Sequence, residues 1–199
     1  MSTHLRKADY LVRGIELSEA RALVEAHHYA KGGSITRVFT HGLAHRDAPE
    51  AILGAAWWLP PTKAAAVSVD ENWRGVLSLS RLVIVPGMPT NAASFLLGQS
   101  IKLIRKDPRW TSLVTYADSG QGHTGAIYRA TNWEYAGMMP GHTTWKTPEG
   151  GQVSRKSTNK TRNHAEMAAL GYINAGRSGK HKFTMRLHPS VPTGLAAAA

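Results

Sequence analysis

The spacing of apolar residues along the chain predicts alternating helices and strands. Ala20, Leu23 and Val24 recur at helical spacing, which predicts a helix over 17–29 with Ser18 as its N-cap. Continuous apolar runs bounded by glycine or proline are typical of strands instead. Such runs predict strands at 35–41, 51–59, 76–85, 112–117 and 182–187.

The same pattern places the remaining elements and gives the fold class. Helices are predicted at about 91–105, 124–131 and 163–170, and a hairpin pairs 143–146 with 152–156. This order predicts an α/β protein, with a mixed central sheet flanked by helices. We expect one domain over 1–188 and a mobile tail over 189–199.

Charge is unevenly distributed along the chain. The sequence holds 24 Lys and Arg against 13 Asp and Glu, a net charge of +11. Nine of the basic residues fall within 142–188, where only Glu149 and Glu166 oppose them. A polyanionic partner is favoured, because neutralising phosphates releases counterions. A solvated basic face, or unspecific attraction to RNA or acidic lipid, remains the alternative.

The absence of cysteine and of long apolar runs excludes several classes of protein. The chain has no cysteine, which excludes a disulfide framework, thiolate metal sites and cysteine nucleophiles. No run of about eighteen apolar residues occurs, and the N-terminus lacks the apolar core of a secretory signal. We therefore expect no membrane partner and a cytoplasmic location.

Several polar residues stand where the pattern predicts element ends. His28 and Tyr29 end the first helix, and Asp118 ends a strand before a glycine-rich turn, where α/β sheets place their sites. Arg81 interrupts an apolar strand and needs a partner, such as a phosphate or the Asp118 carboxylate. Alternatively Arg81 faces solvent and Asp118 only caps the turn. His27 follows the apolar helix face and is expected in the core.

Four segments resemble the Mom proteins, which belong to the GNAT N-acyltransferase superfamily. The resemblance covers about 16–137 and is most specific over 116–137. The matching segments are Ala26-His27-His28-Tyr29, Leu79-Ser80-Arg81-Leu82, Tyr116-Ala117-Asp118-Ser119 and 122–133.

This resemblance implies a fold, an activity and a partner. It implies a GNAT-like sheet, and an enzyme that adds a carbamoylmethyl-type (acetamido) group to the exocyclic amine of adenine in DNA. Such an adduct protects phage DNA from restriction. Adenine within double-stranded DNA is hard to reach, so we expect the base to be flipped out. The donor would be an acyl-CoA or a related compound, and the oligomeric state is open.

The resemblance also implies site residues. The expected catalytic residues are His28, Tyr29, Arg81, Asp118, Ser119 and Tyr128, where Tyr128 would protonate a leaving thiolate. His28, Tyr29 and Asp118 could also converge on one hard metal ion such as iron. For each of these residues there is a simpler interpretation, which is packing for the tyrosines and local backbone satisfaction for Ser119.

The expected donor loop departs from the GNAT pattern. That superfamily holds the acyl-CoA pyrophosphate with an Arg/Gln-x-x-Gly-x-Gly/Ala loop, whereas 86–94 here has neither the paired glycines nor the basic residue. An ordinary acyl-CoA-dependent N-acetyltransferase, or a DNA-binding protein without activity, is thus the alternative. The residues expected to contact a donor are Val83, Asn91, Ala92, Ala93, Ser94 and Asn132.

The basic portion over 142–188 supplies the expected DNA contacts. Trp145 is the candidate for stacking on a base, and the loop over 154–164 is expected to order on DNA. Phosphates would be held by Lys146, Arg155, Lys156, Lys160 and Arg162. Core burial is the default expectation for the other tryptophans, which are Trp57, Trp58, Trp73, Trp110 and Trp133.

Overall fold

Eight strands form one mixed sheet in the computed structural model, which describes residues 4–30, 33–153, 155 and 160–188. The sheet order is β1-β2-β3-β4-β5-β8-β6-β7. The strands are β1 (Tyr10–Gly14), β2 (Phe39–His45), β3 (Ala48–Leu59), β4 (Val76–Ile84), β5 (Ser112–Asp118), β6 (Glu134–Lys146), β7 (Gln152–Val153) and β8 (Ile173–Arg186). The helices are α1 (Leu17–His27), α2 (Lys63–Val67), α3 (Ala92–Ile104), α4 (Ala126–Arg129) and α5 (His164–Ala169).

The predicted α/β class is confirmed, with corrections at element ends. Helix α1 is capped by Glu16 and not by Ser18, because Glu16 and Glu19 form a capping box. Strand β2 begins at Phe39, because the predicted start lies in a loop whose Thr36 carbonyl accepts the Trp57 indole N–H at 3.1 Å. Strand β1 and helix α2 were not predicted.

Strands β6 and β8 are far longer than their sequences indicated. They pair along most of their length, and the ladder is broken by three register shifts. Much of this ribbon is exposed on both faces, so no alternating apolar pattern marks it. Most of both strands was therefore missed by the pattern of apolar residues.

The core lies on both faces of the sheet. Helix α3 covers one face, where Leu96 and Leu97 pack among buried residues that include Trp58. Helix α1 covers the other face, where Val24 packs with Trp57. Burial of Trp57, Trp58 and Trp133 in the core confirms the default expectation for these three rings.

A polar cluster is buried beneath α3. The Ser100 hydroxyl lies 2.7 Å from His41 Nδ1 and 2.8 Å from the Trp58 indole nitrogen, which donates to it. Burial lowers the pKa of His41 to about 4. The His41 ring is therefore neutral at pH 7 and forms part of the core.

Strands β4 and β5 pair over only three positions. They run parallel from Val76 opposite Ser112 to Ser78 opposite Val114. Just beyond, a β-bulge in β4 leaves Ser80 without a partner in β3, since Trp57 pairs with Arg81 and Trp58 with Leu79. The two strands then part, and a gap opens in the middle of the sheet.

No helix within the described ranges is both long enough and apolar enough to cross a membrane. The predicted tail over 189–199 lies outside the described residues.

Candidate functional site

The gap between β4 and β5 contains a cavity of about 450 Å³, which we call the seam chamber. It takes His28 and Tyr29 from the end of α1, Ser80 and Arg81 from β4, and Tyr128 from α4. Much of the rest of its wall is apolar side chains and glycines. Its size is typical of sites for small molecules and cofactors.

A second cavity of about 620 Å³ adjoins it, and we call it the basic chamber. Tyr29 and Arg81 line both chambers and so form a shared wall. On the far side are Asp118 and the ribbon residues His142 and Lys180, together with Arg155. Three basic side chains, those of Arg81, Arg155 and Lys180, therefore line the same cavity as the Asp118 carboxylate.

His28 is a neutral hydrogen-bond donor in this site. Its Nδ1 accepts the backbone N–H of Ala30 at 3.0 Å, and its ring stacks on Tyr29 with centroids 4.4 Å apart. Burial, then the charge of Arg81 and the proximity of His123, lowers the pKa of His28 to about 4. A neutral ring that accepts at Nδ1 carries its proton on Nε2.

Tyr29 stands on the shared wall with 40% of its surface exposed. Burial and the nearby Asp118 carboxylate raise the pKa of Tyr29, while Arg81 opposes that shift. His123 lies edge-on to the same ring at 5.4 Å. At neutral pH Tyr29 therefore holds its proton and offers it for hydrogen bonding.

Arg81 is half-buried between the chambers. One guanidinium nitrogen donates to the Ser80 carbonyl at 2.7 Å, so the bulge in β4 helps to position the side chain. Burial lowers the pKa of Arg81, and Tyr29 raises it. An arginine stays charged at any ordinary pH, so the wall keeps a positive charge.

Asp118 caps a turn and also lines the basic chamber. Its Oδ1 accepts the backbone N–H of Gly120 at 2.9 Å, and the residue is only 5% exposed. The turn-capping interpretation of Asp118 is confirmed, and its catalytic role stays a prediction. The neighbouring Ser119 hydroxyl donates to the Gly179 carbonyl at 2.8 Å, which is the simpler of the two roles considered for it.

Tyr128 closes the seam chamber from α4. Its ring packs on Trp133 and Phe183, with centroids 5.7 and 5.1 Å away. Burial raises the pKa of Tyr128, and a hydrogen bond with Thr115 opposes that shift. Its hydroxyl is therefore protonated at neutral pH and can serve as an acid.

The structure does not support the iron site that was expected at His28, Tyr29 and Asp118. In the part of the chain that the structure describes, no three His, Cys, Asp or Glu residues lie close enough to bind one ion. His28 Nδ1 and one Asp118 oxygen already accept backbone N–H groups. The nearby guanidinium of Arg81 also repels a cation. Iron is not supported.

The expected donor contacts are dispersed. Ala93 lines the seam chamber, whereas Val83 and Ala92 are buried in the core. Asn91 Oδ1 accepts the backbone N–H of Leu5 at 2.6 Å, so the N-terminal segment covers the start of α3. A separate cleft along α3, of about 600 Å³, is lined by Asn91, Ser94 and Asn132.

The expected DNA contacts also differ in position. Arg155 lines the basic chamber, but Lys160 forms an ion pair with Glu166, and Lys156 lies outside the described residues. Trp145 is only 4% exposed, and this burial argues against stacking on a base. Lys146 and Arg162 are half-buried.

The sequence analysis missed two residues of the basic chamber and misjudged the positions of two other histidines. Lys180 and His142 were part of the basic portion but were not singled out, because β8 was not expected to start before residue 182. His123 was expected only to start a helix, yet it contacts Tyr29. His27 was expected in the core and is exposed, because the helix ends there.

Solved N-acetyltransferase structures share this architecture. The ribosomal-protein-S18-alanine N-acetyltransferase of Escherichia coli has a TM-score of 0.55 and 11% identity, covering 92% of this chain and 97% of that one. The spermidine N-acetyltransferase of Vibrio cholerae, in complex with CoA and spermine, has a TM-score of 0.54 and 6% identity, covering 90% and 96%. A GNAT-family acetyltransferase is a further neighbour. The predicted GNAT-like fold is confirmed.

Comparison of sequences identifies the family more specifically than comparison of folds does. The methylcarbamoylase mom of Escherichia phage Mu is 23% identical over 172 residues, which is 82% of this chain and 68% of that protein. The sequence model of the Mom protein family matches residues 9–189. Because that match covers most of the chain, this chain belongs to the Mom protein family.

Proposed function

We propose that this protein adds a carbamoylmethyl-type group to the exocyclic amine of adenine in DNA, and so protects phage DNA from restriction in the host cytoplasm. The observation that carries the proposal is the pair of chambers that meet at Tyr29 and Arg81. One chamber combines apolar side chains with a few polar groups, and the other combines cations with a carboxylate. The phage Mu relative is named a methylcarbamoylase, which agrees with this chemistry.

The seam chamber suits the donor. Where β4 and β5 separate, their facing backbone N–H and C=O groups no longer hydrogen-bond to each other. Such groups can bind an extended ligand that is rich in amides. The Vibrio cholerae neighbour is described with CoA bound. We assign an acyl-CoA or a related compound to this chamber, held by its apolar wall and by Ala93 at the start of α3.

The basic chamber suits the acceptor. Its cations can balance DNA phosphates, while Asp118 can accept a hydrogen bond from an amine. A volume of about 620 Å³ falls within the range of small-molecule sites. Adenine would have to leave the duplex to reach it, so the proposal includes base flipping.

Four residues of the two chambers then have roles in group transfer. The adenine nitrogen forms a bond to the donor carbon, and the bond from that carbon to its leaving group breaks. Asp118 takes the proton that the amine loses, and Tyr128 supplies a proton to the leaving group. The carbon that forms the bond is the methylene of the carbamoylmethyl group, so negative charge develops on the leaving group. His28 Nε2–H and Arg81 donate to the amide oxygen of the carbamoylmethyl group and hold that group in place.

The test is the DNA of bacteria that express this protein. Plasmid DNA would be digested to nucleosides and examined by mass spectrometry. We expect a heavier deoxyadenosine whose mass increment is that of a carbamoylmethyl group, and its loss in the Asp118→Asn variant. Unmodified adenine from cells containing folded wild-type protein, in the presence of other phage-encoded factors, would contradict the proposal.

An ordinary N-acetyltransferase is the second candidate, and the seam chamber within a GNAT-like fold favours it. The same mass spectrum separates the two. An acetyl adduct lacks one N–H unit of the carbamoylmethyl adduct, and an enzyme for small amines or proteins leaves DNA unchanged. Acetylation of a small amine with acetyl-CoA alone would favour this second candidate.

A further inference from the structure

Lys180 is an unusual lysine on strand β8. The residue two positions along, Lys182, is buried, and its ammonium donates to the Ser68 hydroxyl at 2.8 Å. Lys182 is therefore a satisfied structural lysine. Lys180 is half-buried and lines the basic chamber, and it forms no ion pair within the described residues. A lysine in the wall of a chamber, with no carboxylate as its partner among the described residues, is available to bind an anionic ligand.

The ladder places Lys180 directly beside the acidic group of the chamber. Asp118 of β5 is the register partner of Lys180 in β8, and side chains opposite each other in antiparallel strands lie about 5 Å apart at Cβ. Even so, the two charges are not within ion-pair distance. A ligand with both an anionic group and an amine donor would satisfy the two side chains together.

Arg155 supplies the second cation from outside the sheet. Its Nε donates to the Arg162 carbonyl at 2.8 Å, and one Nη lies 3.2 Å from His164 Nε2. These contacts orient the guanidinium while the residue lines the basic chamber. An oriented arginine and a lysine that line the same cavity are well suited to bind a phosphate. The guanidinium donates several hydrogen bonds to the phosphate oxygens, and the ammonium adds a point charge.

We infer that Lys180 and Arg155 bind the DNA phosphate next to the nucleotide whose base enters the basic chamber. The inference deepens the proposed function and rests on DNA being the acceptor. The phosphate contact fixes the nucleotide along the strand, and Asp118 then meets the exocyclic amine. Lys180 and Arg155 act as positioning residues that bind the acceptor.

The probe is a duplex oligonucleotide with one unpaired adenine, because an unpaired base is extruded at low cost. Its affinity would be measured by fluorescence anisotropy over a series of salt concentrations. We expect Lys180→Gln to weaken binding several-fold and to lower the salt slope by about one. Lys180→Arg, which keeps the charge, should restore most of the affinity.

The matched control is Lys102→Gln. It removes the same charge from the exposed side of α3, in the separate cleft along that helix. We expect a much smaller loss of affinity and an almost unchanged salt slope. An equal loss for Lys180→Gln and Lys102→Gln would mean unspecific attraction, and would overturn the inference.

A modified oligonucleotide locates the contact. Replacing the phosphate beside the unpaired adenine with an uncharged methylphosphonate should weaken wild-type binding and have little effect on Lys180→Gln, since the two changes remove one interaction. Additive losses would overturn the inference. If the wild-type protein modifies adenine in cells but Lys180→Gln binds the oligonucleotide as tightly as wild type, this inference alone would be overturned. Unmodified adenine with the expected affinity pattern would instead overturn the proposed group transfer.

Discussion

The two chambers share a wall but are built from different parts of the chain. The seam chamber is formed by the residues that follow α1, by β4, the start of α3, β5 and α4, and by the turn before α4. The far side of the basic chamber comes from the ribbon of β6 and β8 and from Arg155. This difference suggests that the GNAT-like sheet binds the donor and that the basic portion of the chain binds the acceptor. Substitutions at and beside the shared wall can test that division.

The largest effect is expected at Asp118, on the acceptor side. Asp118→Asn removes the base but keeps an oxygen that can accept the Gly120 N–H, so the turn should persist. We expect adenine modification to fall by about a hundredfold or more, the scale of general base catalysis. The measurement is the single-turnover rate, with thermal unfolding as the control. A rate within a few-fold of wild type would remove Asp118 from the mechanism.

A smaller loss is expected at Tyr128, on the donor side. Tyr128→Phe removes the acid that serves the leaving group and keeps the ring contacts with Trp133 and Phe183. The rate should fall by about tenfold to a hundredfold, with DNA affinity unchanged.

Tyr116→Phe is the matched control, because that residue lines the same chamber and has no assigned role in transfer. Equal losses in the two variants would indicate that polarity of the chamber, and not proton transfer, explains the Tyr128 effect.

Acid should destabilise the protein through His41, which lies in the core away from both chambers. The folded pKa of His41 is about 4, whereas the unfolded chain takes up that proton near pH 6.5. Stability is thus fully present above pH 6.5 and falls as pH decreases toward 4. The free energy of unfolding should drop by about 2 kcal/mol between pH 7 and pH 5 on account of this residue.

Urea unfolding at the two pH values measures the acid effect. His41→Gln should lower stability at pH 7 and remove the His41 part of the pH dependence, while the part from His28, whose pKa is also about 4, remains. If His41→Gln keeps the full acid sensitivity, another group is responsible.

The smallest effect is expected at Ser119, which adjoins Asp118 and was a candidate catalytic residue. Because its hydroxyl donates to the Gly179 carbonyl, Ser119→Ala should cost about 1 kcal/mol of stability. The rate of adenine modification should stay within about twofold of wild type. A large loss of rate in a stable variant would show that Ser119 contacts a substrate.

How well the sequence predicted each part depended on burial. Strands β4 and β5 and helix α3 bury apolar residues, so their positions followed from the pattern. The exposed ribbon carries no such pattern, and its register shifts decide which residues reach the basic chamber. Lys180 could not be placed there, because it lies opposite Asp118 only where β8 pairs with β5, and the sequence did not predict β8 to extend back to residue 180. Likewise, the link from Leu5 to Asn91 joins residues far apart in the chain.

The three-position pairing of β4 with β5 also bears on how the chain folds. Strands β1 to β4 form one antiparallel block, and β5, β8, β6 and β7 form a second, each continuous in sequence. Each block can assemble from its own segment during synthesis, and the slow step is then the docking of the second block on the first. The proposed group-transfer site coincides with this joint. A ligand that spans both blocks would hold them together, so donor analogues should raise the unfolding temperature and slow amide hydrogen exchange along β4 and β5.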